Sequence, residues 1–241
     1  MTNPIVIDIS HWQSSVDFKA MKAAGTVGVI LKATEGTTSV DDTFKARQKA
    51  AKDAGLCVST YHFLRKGSIA QQMQFYVKTV QPATGDRMVI DYEDGSLSIS
   101  DLETAIDALR AAAPGVEVTV YGANGFLGYQ LKGKKNDKLA SCSLWVASYT
   151  TKPEPTMTDL KGTWPVWSLW QYTDKALVEG VPTGVDGNRW NGSPDSLPGW
   201  FHKGDVAPAP VPTPSTDPVT IEVTAPEGVE VKVLVNGKQV V

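Results

Sequence analysis

The feature that most constrains this chain is a short apolar run leading directly into two acidic residues. Residues 88–90 are Met-Val-Ile, Asp91 and Glu93 follow, and Gly95 ends the segment. Such a run, closed by a turn residue, predicts a buried strand. Side chains at positions i and i+2 leave the same face of a strand, with Cα atoms about 6.6 Å apart. We therefore expect Asp91 and Glu93 to point into one cavity.

A pair of carboxyl groups in one cavity is what acid/base cleavage of a glycosidic bond requires. Retaining enzymes hold the two groups about 5 to 5.5 Å apart and inverting enzymes about 6.5 to 9.5 Å apart. The expected Cα spacing of Asp91 and Glu93 does not fix the separation of their carboxyl groups, so it does not choose between the two outcomes. A solvated loop start or a capping group is the alternative interpretation of the same Asp-x-Glu pattern.

Composition indicates an ordinary globular chain and argues against several classes of partner. Of 241 residues, 41% are hydrophobic and 20% are charged, and the formal net charge is -3. Without a long basic run, nucleic acid and anionic membranes are poor candidates. No apolar run is long enough to span a bilayer, and the first residues lack the features of a secretory signal, so we expect synthesis in the cytoplasm and no membrane insertion.

Cysteine and histidine usage argues against metal and disulfide chemistry. Cys57 and Cys142 each lie in an apolar, β-like run, so we expect two buried thiols and neither a disulfide nor a nucleophile pair. Two cysteines and three histidines also make a zinc site an unfavourable hypothesis. We expect no metal and no cofactor.

Strand and helix patterns alternate along the first part of the chain. Five predicted strands cover residues 4–9, 27–33, 56–63, 87–92 and 116–121. Predicted helices cover residues 18–24, 41–54 and 68–80, a segment that opens with a capping box of Ser100 and Glu103, and a weaker segment between 123 and 139. Three further strands, 143–149, 167–173 and 184–190, have no convincing helix between them. This order predicts an α/β fold, an irregular TIM-like barrel of five β/α units plus three strands.

Polar side chains stand at the exits of the predicted strands. In parallel barrels the chemistry takes place at this end of the strands. The residues concerned are Asp8, Glu35, Tyr61, His62, Asp91, Glu93, Tyr121, Tyr149, Gln171, Tyr172 and Asp186. We therefore expect one site at the barrel mouth.

The C-terminal part of the chain has a different composition. Residues 203–218 are rich in Pro and Ala and predict an extended linker that follows a domain of residues 1–202. Residues 219–241 alternate valine and isoleucine with other residues and contain Asn236-Gly237, a hairpin signal, so they predict a small all-β appendage. A sheet of this size is marginal alone. It should pack on the barrel, self-associate or begin a larger module.

Seven short motifs in order give the chain a family resemblance. They are Asp8-Ile9-Ser10-x-x-Gln13, Lys32-Ala33-Thr34-Glu35-Gly36, Tyr61-His62-Phe63, Asp91-Tyr92-Glu93, Trp145-Val146-Ala147-Ser148-Tyr149, Trp170-Gln171-Tyr172 and Val185-Asp186-Gly187-Asn188. Over about residues 4 to 200 the chain resembles glycoside hydrolase family 25, the N-acetylmuramidases or lysozymes of bacteria, fungi and bacteriophages. The resemblance implies an irregular β/α barrel. It also implies bacterial peptidoglycan as substrate, cleaved at the β-1,4 bond from N-acetylmuramic acid to N-acetylglucosamine.

Residue roles follow from the resemblance one position at a time. Glu93 matches the general acid, Asp91 its partner, and Asp8 and Asp186 the acids of the first and last strands, expected to tune charge and bind sugar hydroxyls. The candidate substrate-binding residues at the mouth are Tyr61, Tyr121, Trp145, Tyr149, Gln171 and Glu35. We expect Lys32 to form an ion pair with Asp8 or Glu35. Ser14 and Phe18 depart from the Gly and Trp common in the family, which affects the rim more than catalysis.

The mechanism requires Glu93 to be protonated near neutral pH. We expect repulsion from Asp91, with partial burial, to raise the pKa of Glu93. Asp91 then acts either as a nucleophile or as a carboxylate that stabilises the substrate's own 2-acetamido group, and the resemblance favours the second route. Both predict retention.

Two other functions are compatible with the same residues. In the first, Asp8, Asp91, Glu93 and Asp186 hold Mg²⁺ or Ca²⁺ in a metal-dependent hydrolase. In the second, the chain is a non-catalytic wall-binding protein. For the enzyme, we expect a phage endolysin that waits in the host cytoplasm until a holin or its equivalent opens the membrane. The C-terminal β segment would then target the cell wall or form a homo-oligomer.

Overall fold

A computed structural model describes residues 6–204, and the backbone of Leu234–Val235 and Lys238–Gln239. The chain divides into two compact units, residues 1–205 and residues 206–241. The predicted linker at 203–218 and most of the predicted β segment lie outside the described residues. The domain boundaries inferred from the sequence therefore stay predictions.

Eight strands close into a barrel. They are β1 (Val6–Ile9), β2 (Gly28–Glu35), β4 (Cys57–Phe63), β5 (Arg87–Asp91), β6 (Glu117–Ala123), β7 (Ser143–Ala147), β8 (Leu169–Ala176) and β9 (Val185–Trp190). The short strand β3 (Ser39–Val40) pairs antiparallel with the end of β2. Neighbours pair in parallel from β1 through β8, while β9 runs antiparallel to both β8 and β1 and so closes the sheet. The predicted α/β barrel is confirmed.

Helices follow the first five barrel strands. They are α1 (Phe18–Ala23), α2 (Phe44–Asp53), α3 (Ile69–Val80), α4 (Ile99–Ala112), α5 (Asn124–Leu131) and α6 (Asp137–Ala140). A 3₁₀ turn at Pro194–Ser196 leads into a last helix, α7 (Leu197–Phe201). The sequence analysis predicted no helix between the last three strands and named none after residue 190, so α7 was not foreseen. A five-residue helix is too short to show a helical period.

The predicted cap of α4 was also wrong by two residues. Ser98 is the N-cap, and its side chain accepts from the Asp101 backbone N–H while the Asp101 carboxylate accepts from the Ser98 backbone N–H at 2.8 Å. Ser100 lies inside the first turn instead, and Glu103 accepts from Asn136 at 2.6 Å. Ser98-x-x-Asp101 is the same reciprocal arrangement with a shorter acid, which a search for Ser-x-x-Glu overlooks.

Apolar side chains fill the half of the barrel where the parallel strands begin. Val6, Ile30, Val89 and Phe201 belong to one buried cluster there. Gly28 begins β2 directly against the Phe201 ring, where a Cβ would collide with it. The barrel interior is therefore packed at this end, and the cavity that collects the predicted site residues opens at the opposite, C-terminal end of the strands.

Helix α7 and the residues after it form hydrogen bonds with the packed end of the barrel. The Lys203 backbone N–H donates to the Gly85 carbonyl at 2.8 Å, and His202 Nδ1 lies 2.9 Å from Asp86 Oδ1. The buried Arg87 guanidinium donates to the Trp200 carbonyl. Contacts of the barrel therefore extend through Lys203.

Three further sequence predictions concern the cysteines, the C-terminal hairpin and membrane-spanning helices. Cys142 is buried as predicted, whereas the prediction of a buried Cys57 was wrong, because Cys57 lines a cleft at the start of β4 and is partly exposed; both are free thiols. Leu234–Val235 and Lys238–Gln239 pair antiparallel, and the predicted turn at 236–237 lies outside the described residues. Within the described part of the chain, none of the helices combines the length and the apolarity needed to cross a bilayer.

Candidate active site

A cavity of about 320 Å³ opens at the C-terminal end of the barrel strands. The predicted site residues that line it are Asp8, Tyr61, Asp91, Glu93, Tyr121, Trp145, Tyr149, Gln171 and Asp186. Ser10, Trp12, Lys32 and Phe63 complete the lining. Each barrel strand, or the residues at its exit, thus contributes to one site.

Strand geometry explains how the four acids meet. Asp91 ends β5, and Glu93 lies two residues further on, so both face the cavity as their spacing predicted. Asp8 of β1 pairs across the antiparallel ladder with Asp186 of β9. Directly opposite residues in such a ladder have neighbouring side chains. The acids therefore form two adjacent carboxyl pairs, one within a single strand exit and one between strands.

Burial makes the Asp91–Glu93 pair resist ionisation. Asp91 is only 4% exposed, and its Oδ1 has no hydrogen-bond partner. Burial, and then the charge of Glu93, raise the pKa of Asp91 well above its usual value. Although Glu93 is exposed, desolvation of its carboxyl group by the surrounding protein raises its pKa, and the charge of Asp186 adds to this. Both shifts favour the protonated forms of the two groups.

The cause of the Glu93 shift differs from the one expected. Repulsion by Asp91 was expected to be a main contribution, but protein surrounding the carboxyl group contributes most to the raised pKa. A hydrogen bond between the Asp91 and Glu93 carboxyl groups lowers the pKa of Glu93 and raises that of Asp91. In a pair joined by one proton, the proton is shared, and repulsion appears only when both groups ionise.

Asp8 is anchored by two buried carboxamides. Gln171 Nε2 donates to the two Asp8 oxygens at 3.1 and 3.2 Å, and Asn188 Nδ2 donates to Asp8 Oδ2 at 2.7 Å. Burial, followed by the charge of Asp186, raises the pKa of Asp8 well above its usual value, against these donors. Burial is also the main cause that raises the pKa of Asp186. Asp8 is thus a fixed acceptor in the cavity wall.

Aromatic side chains complete this network. Trp145 Nε1 donates to Asn188 Oδ1 at 2.7 Å, and the hydroxyls of Tyr121 and Tyr149 each donate to Gln171 Oε1 at 2.9 Å. Trp145 is almost fully buried, whereas Tyr149 is 56% exposed at the rim. Burial raises the pKa values of Tyr61, Tyr121 and Tyr149 above the usual tyrosine value, so these phenols keep their protons. Tyr149 therefore offers accessible ring surface, while Trp145 mainly supports the floor.

The Lys32 side chain, which lines the cavity, forms an ion pair with Glu35. Lys32 Nζ lies 2.6 Å from Glu35, as one of its two expected partners, and Arg65 donates to the other Glu35 oxygen at 2.7 Å. Glu35, predicted to bind substrate, is not part of the cavity lining because both its oxygens face these cations. Phe63 lies beneath both, 5.3 Å from the Lys32 ammonium and 4.4 Å from the Arg65 guanidinium.

Two features of the site were missed from the sequence. Asn188 lies two residues after Asp186 and therefore shares its face of β9, a signal that the spacing contained. Arg65 lies beyond β4, and only the fold brings it to Glu35. Among residues 6–204, no group of three or more His, Cys, Asp or Glu side chains has the geometry to hold a metal ion.

Comparison with known families agrees with this geometry. The model of Glycosyl hydrolases family 25 matches residues 7–181, which include Asp8, Asp91 and Glu93. The chain belongs to glycoside hydrolase family 25. It is therefore a glycoside hydrolase of the lysozyme type that acts on peptidoglycan. The matched segment ends before Asp186, the acid that the antiparallel strand β9 brings opposite Asp8.

Individual relatives of this family 25 chain cover most of its barrel. It is 30% identical over 203 residues to Lysozyme M1 of Streptomyces globisporus, covering 78% of this chain and 67% of that protein. It is also 30% identical to the autolytic lysozyme of Clostridium acetobutylicum, covering 75% of this chain and 53% of that protein. The chain thus spans about half the length of the second relative.

Solved structures share the barrel. The bacterial lysozyme from Streptomyces coelicolor superposes with a TM-score of 0.70 at 28% identity, covering 82% of this chain and 96% of that one. The family GH25 lysozyme from Aspergillus fumigatus gives 0.67 at 26% identity, with 83% and 100% covered. The CTP1L endolysin gives 0.64 at 25% identity, with 80% and 68% covered.

Proposed function

We propose that this chain cleaves the β-1,4 bond between N-acetylmuramic acid and N-acetylglucosamine in bacterial peptidoglycan, with retention. The observation that carries the proposal is the carboxyl pair of Asp91 and Glu93 at one strand exit, facing a cavity rimmed by aromatic residues. Aromatic rings stack on the apolar faces of sugars, and the phenols supply hydrogen bonds. Family membership supports the same substrate.

In this proposal Glu93 is the general acid. It faces the open cavity with a raised pKa, so it holds a proton that it can transfer to the leaving oxygen. The proton shared with Asp91 keeps that reserve close to the reacting bond. Asp186 disfavours ionisation of Glu93 by its own charge.

Asp91 acts in this proposal as the carboxylate that stabilises the substrate's 2-acetamido group during internal attack. Its carboxyl group is in hydrogen-bonding contact with that of Glu93, which supports this role. A pair in contact leaves no space for the water that an inverting pair holds between its groups. Asp8 and Asp186 bind sugar hydroxyls and set the local charge.

The biological setting is a separate part of the proposal. Similarity to the CTP1L endolysin agrees with a phage endolysin that acts on the wall after release from the host cytoplasm. Similarity to bacterial lysozymes agrees equally with a bacterial wall enzyme. We favour the endolysin, with residues 219–241 as a wall-targeting or self-associating segment. Lysis from within, dependent on a membrane-opening protein, is the behaviour that distinguishes an endolysin.

The decisive experiment compares the wild type with Glu93→Gln on purified peptidoglycan. Glutamine keeps the shape but cannot donate an acidic proton, so we expect a loss of about 10²- to 10⁴-fold in rate. Mass spectrometry of the wild-type products should show N-acetylmuramic acid at the new reducing ends. A fully active Glu93→Gln would assign the acid to another carboxyl group.

Two controls address the other functions. Tyr129→Phe alters an exposed tyrosine outside the cavity lining and should leave the rate unchanged. Full activity in the presence of a chelator would contradict a metal-dependent hydrolase. Absence of any cleavage by the wild type, with wall binding retained, would instead favour a non-catalytic binding protein.

A further inference from the structure

The Gln171 carboxamide in the cavity wall forms hydrogen bonds with three side chains of the protein. Its oxygen accepts from Tyr121 and Tyr149, and its nitrogen donates to both oxygens of Asp8. The side chain is 2% exposed. A carbonyl oxygen has two acceptor sites, and the two phenols occupy both of them, while one amide N–H is shared between the two oxygens of Asp8. The oxygen of Gln171 therefore has no acceptor site left for a sugar.

The orientation of this carboxamide follows from its neighbours. The two phenols each donate their one hydrogen to the amide oxygen, which leaves the amide nitrogen facing Asp8. Gln171 also pairs with Asn188 next to an irregularity in the β8–β9 ladder, between Gln171 and Thr173. Such irregularities redirect side chains beside active sites. The backbone and Asp8 together fix the carboxamide in one direction.

The orientation of the Gln171 carboxamide determines which hydrogen-bonding groups Tyr121 and Tyr149 present to a ligand. Each phenol has one donor, and both Tyr121 and Tyr149 use it on Gln171. Their remaining capacity toward the cavity is the oxygen lone pairs, which only accept. The wall is thus matched to ligands rich in N–H and O–H groups.

We propose that Gln171 is a positioning residue that holds the hydroxyls of Tyr121 and Tyr149 as donors to itself, so that their oxygens accept from amide N–H and hydroxyl groups of the bound sugar. The inference rests on the proposed function, since it concerns the substrate side of the same cavity. It predicts that the polarity of residue 171, beyond its shape, controls how well substrate is bound.

Gln171→Glu tests polarity at nearly constant shape. When the introduced carboxyl group is protonated, its hydroxyl donates to Asp8 and its other oxygen accepts from both phenols, so it reproduces the arrangement of glutamine. When it is ionised, it meets the Asp8 carboxylate without a donor and is repelled. Burial and the adjacent acid raise the pKa of the introduced group. The ionisable groups facing this cavity are Asp8, Lys32, Tyr61, Asp91, Glu93, Tyr121, Tyr149 and Asp186.

The readout is the ratio of kcat/KM of Gln171→Glu to that of the wild type on a soluble peptidoglycan fragment, from about pH 5 to pH 8. Dividing by the wild-type value removes the pH dependence that both proteins share through the other ionisable groups of the cavity. At pH 8 we expect a loss of about 10- to 100-fold, the effect of disrupting hydrogen bonds to a charged group. The loss should shrink to within about threefold at the acidic end. A ratio that does not change with pH overturns the proposal.

Gln72→Glu is the matched control. Gln72 is equally buried, and its carboxamide bonds the backbone of Arg65 and the His62 ring on the outer side of the barrel wall, away from the cavity lining. Its activity ratio to the wild type should stay flat with pH. A loss in this control that varies with pH in the same way would assign the effect to general destabilisation and overturn the inference.

Tyr149→Phe provides a second variant at an exposed position that does not endanger folding. It should raise KM several-fold with a smaller effect on kcat, and its effect should largely disappear in the Gln171→Glu background at pH 8. Wild-type kcat/KM for Tyr149→Phe, or fully additive effects in the double variant, overturns the proposal. Absence of wild-type cleavage would instead refute the proposed function itself, so the two failures are distinguishable.

Discussion

At the scale of single residues, the buried Asp91 carboxyl group lowers the stability of the fold. Asp91 is buried with one oxygen unpartnered, and its pKa is raised by burial and by Glu93. A buried ionised carboxyl group without full compensation opposes folding. Active sites commonly keep such groups because the chemistry needs them. Asp91 is therefore a residue whose replacement should stabilise the protein while abolishing its proposed activity.

We predict that Asp91→Asn raises the free energy of unfolding by about 1 kcal/mol near neutral pH. Because the pKa of Asp91 is higher in the folded than in the unfolded state, wild-type stability falls as pH rises from the unfolded to the folded pKa. The advantage of Asp91→Asn should thus be absent below about pH 4 and grow above it. Denaturant unfolding at several pH values measures this difference.

Asp94→Asn is the control with the opposite sign. Hydrogen bonds from Ser96, followed by smaller contributions that include Arg65, lower the pKa of Asp94. Its ionised form therefore stabilises the fold above the unfolded pKa, and this contribution is lost as pH falls. The variant should be less stable than the wild type at neutral pH and equal to it in acid. Equal pH dependence for the two variants would contradict the assignment of the Asp91 shift to burial.

At the scale of elements, the N-cap of α4 lies two residues before the one that the sequence pattern predicted. Ser98 caps the helix, and Asp101 completes the reciprocal bond. Asp101 also pairs with Lys66, and hydrogen bonds from Lys66 and then Ser98 lower its pKa to about 2. The helix buries Leu102 and Ile106 in the core, so its first turn fixes how the chain leaves the loop that follows Glu93.

We predict that Ser98→Ala lowers the free energy of unfolding by about 1 kcal/mol, whereas Ser100→Ala changes it by less than about 0.5 kcal/mol. The first substitution removes a cap, and the second alters an exposed residue inside the helix. Thermal or denaturant unfolding of the two variants gives the comparison. A larger loss at Ser100 would restore the capping box expected from the sequence pattern.

At the scale of the whole molecule, the last residues that contact the barrel set how far the chain can be truncated from its C-terminus. Lys203 bonds the Gly85 carbonyl, and Trp200 and Phe201 belong to the buried cluster of the barrel. A chain ending at Gly204 keeps all these contacts. A chain ending at Ser196 loses α7 and exposes the cluster to water.

We predict that residues 1–204 fold with nearly wild-type stability and cleave soluble fragments at the wild-type rate. The same chain should lose wall binding or the oligomeric mass of the full protein, measured by sedimentation with insoluble walls and by light scattering. Residues 1–196 should fail to fold, since burying large aromatic side chains contributes several kcal/mol. If the 1–204 chain matches the full chain in both wall binding and mass, neither proposed role of residues 219–241 is correct.

The sequence by itself determined the barrel and most of the site. Alternating strand and helix patterns give a parallel sheet, and the period of two in a strand places Asp91 and Glu93 on one face. Polar residues at strand exits then identify the mouth, where Tyr61, Tyr149 and Gln171 were found. These features are local or periodic, so they can be derived from spacing alone.

Only the tertiary structure decided how distant residues pair. The antiparallel return of β9 sets Asp8 against Asp186, and the barrel brings Arg65 to Glu35, which removes Glu35 from the cavity lining. Burial, a property of the folded chain, is the main cause of the raised pKa of Glu93. Spacing along the chain specifies which face a side chain takes, but the register between strands specifies its partners, and partners with burial set its chemistry.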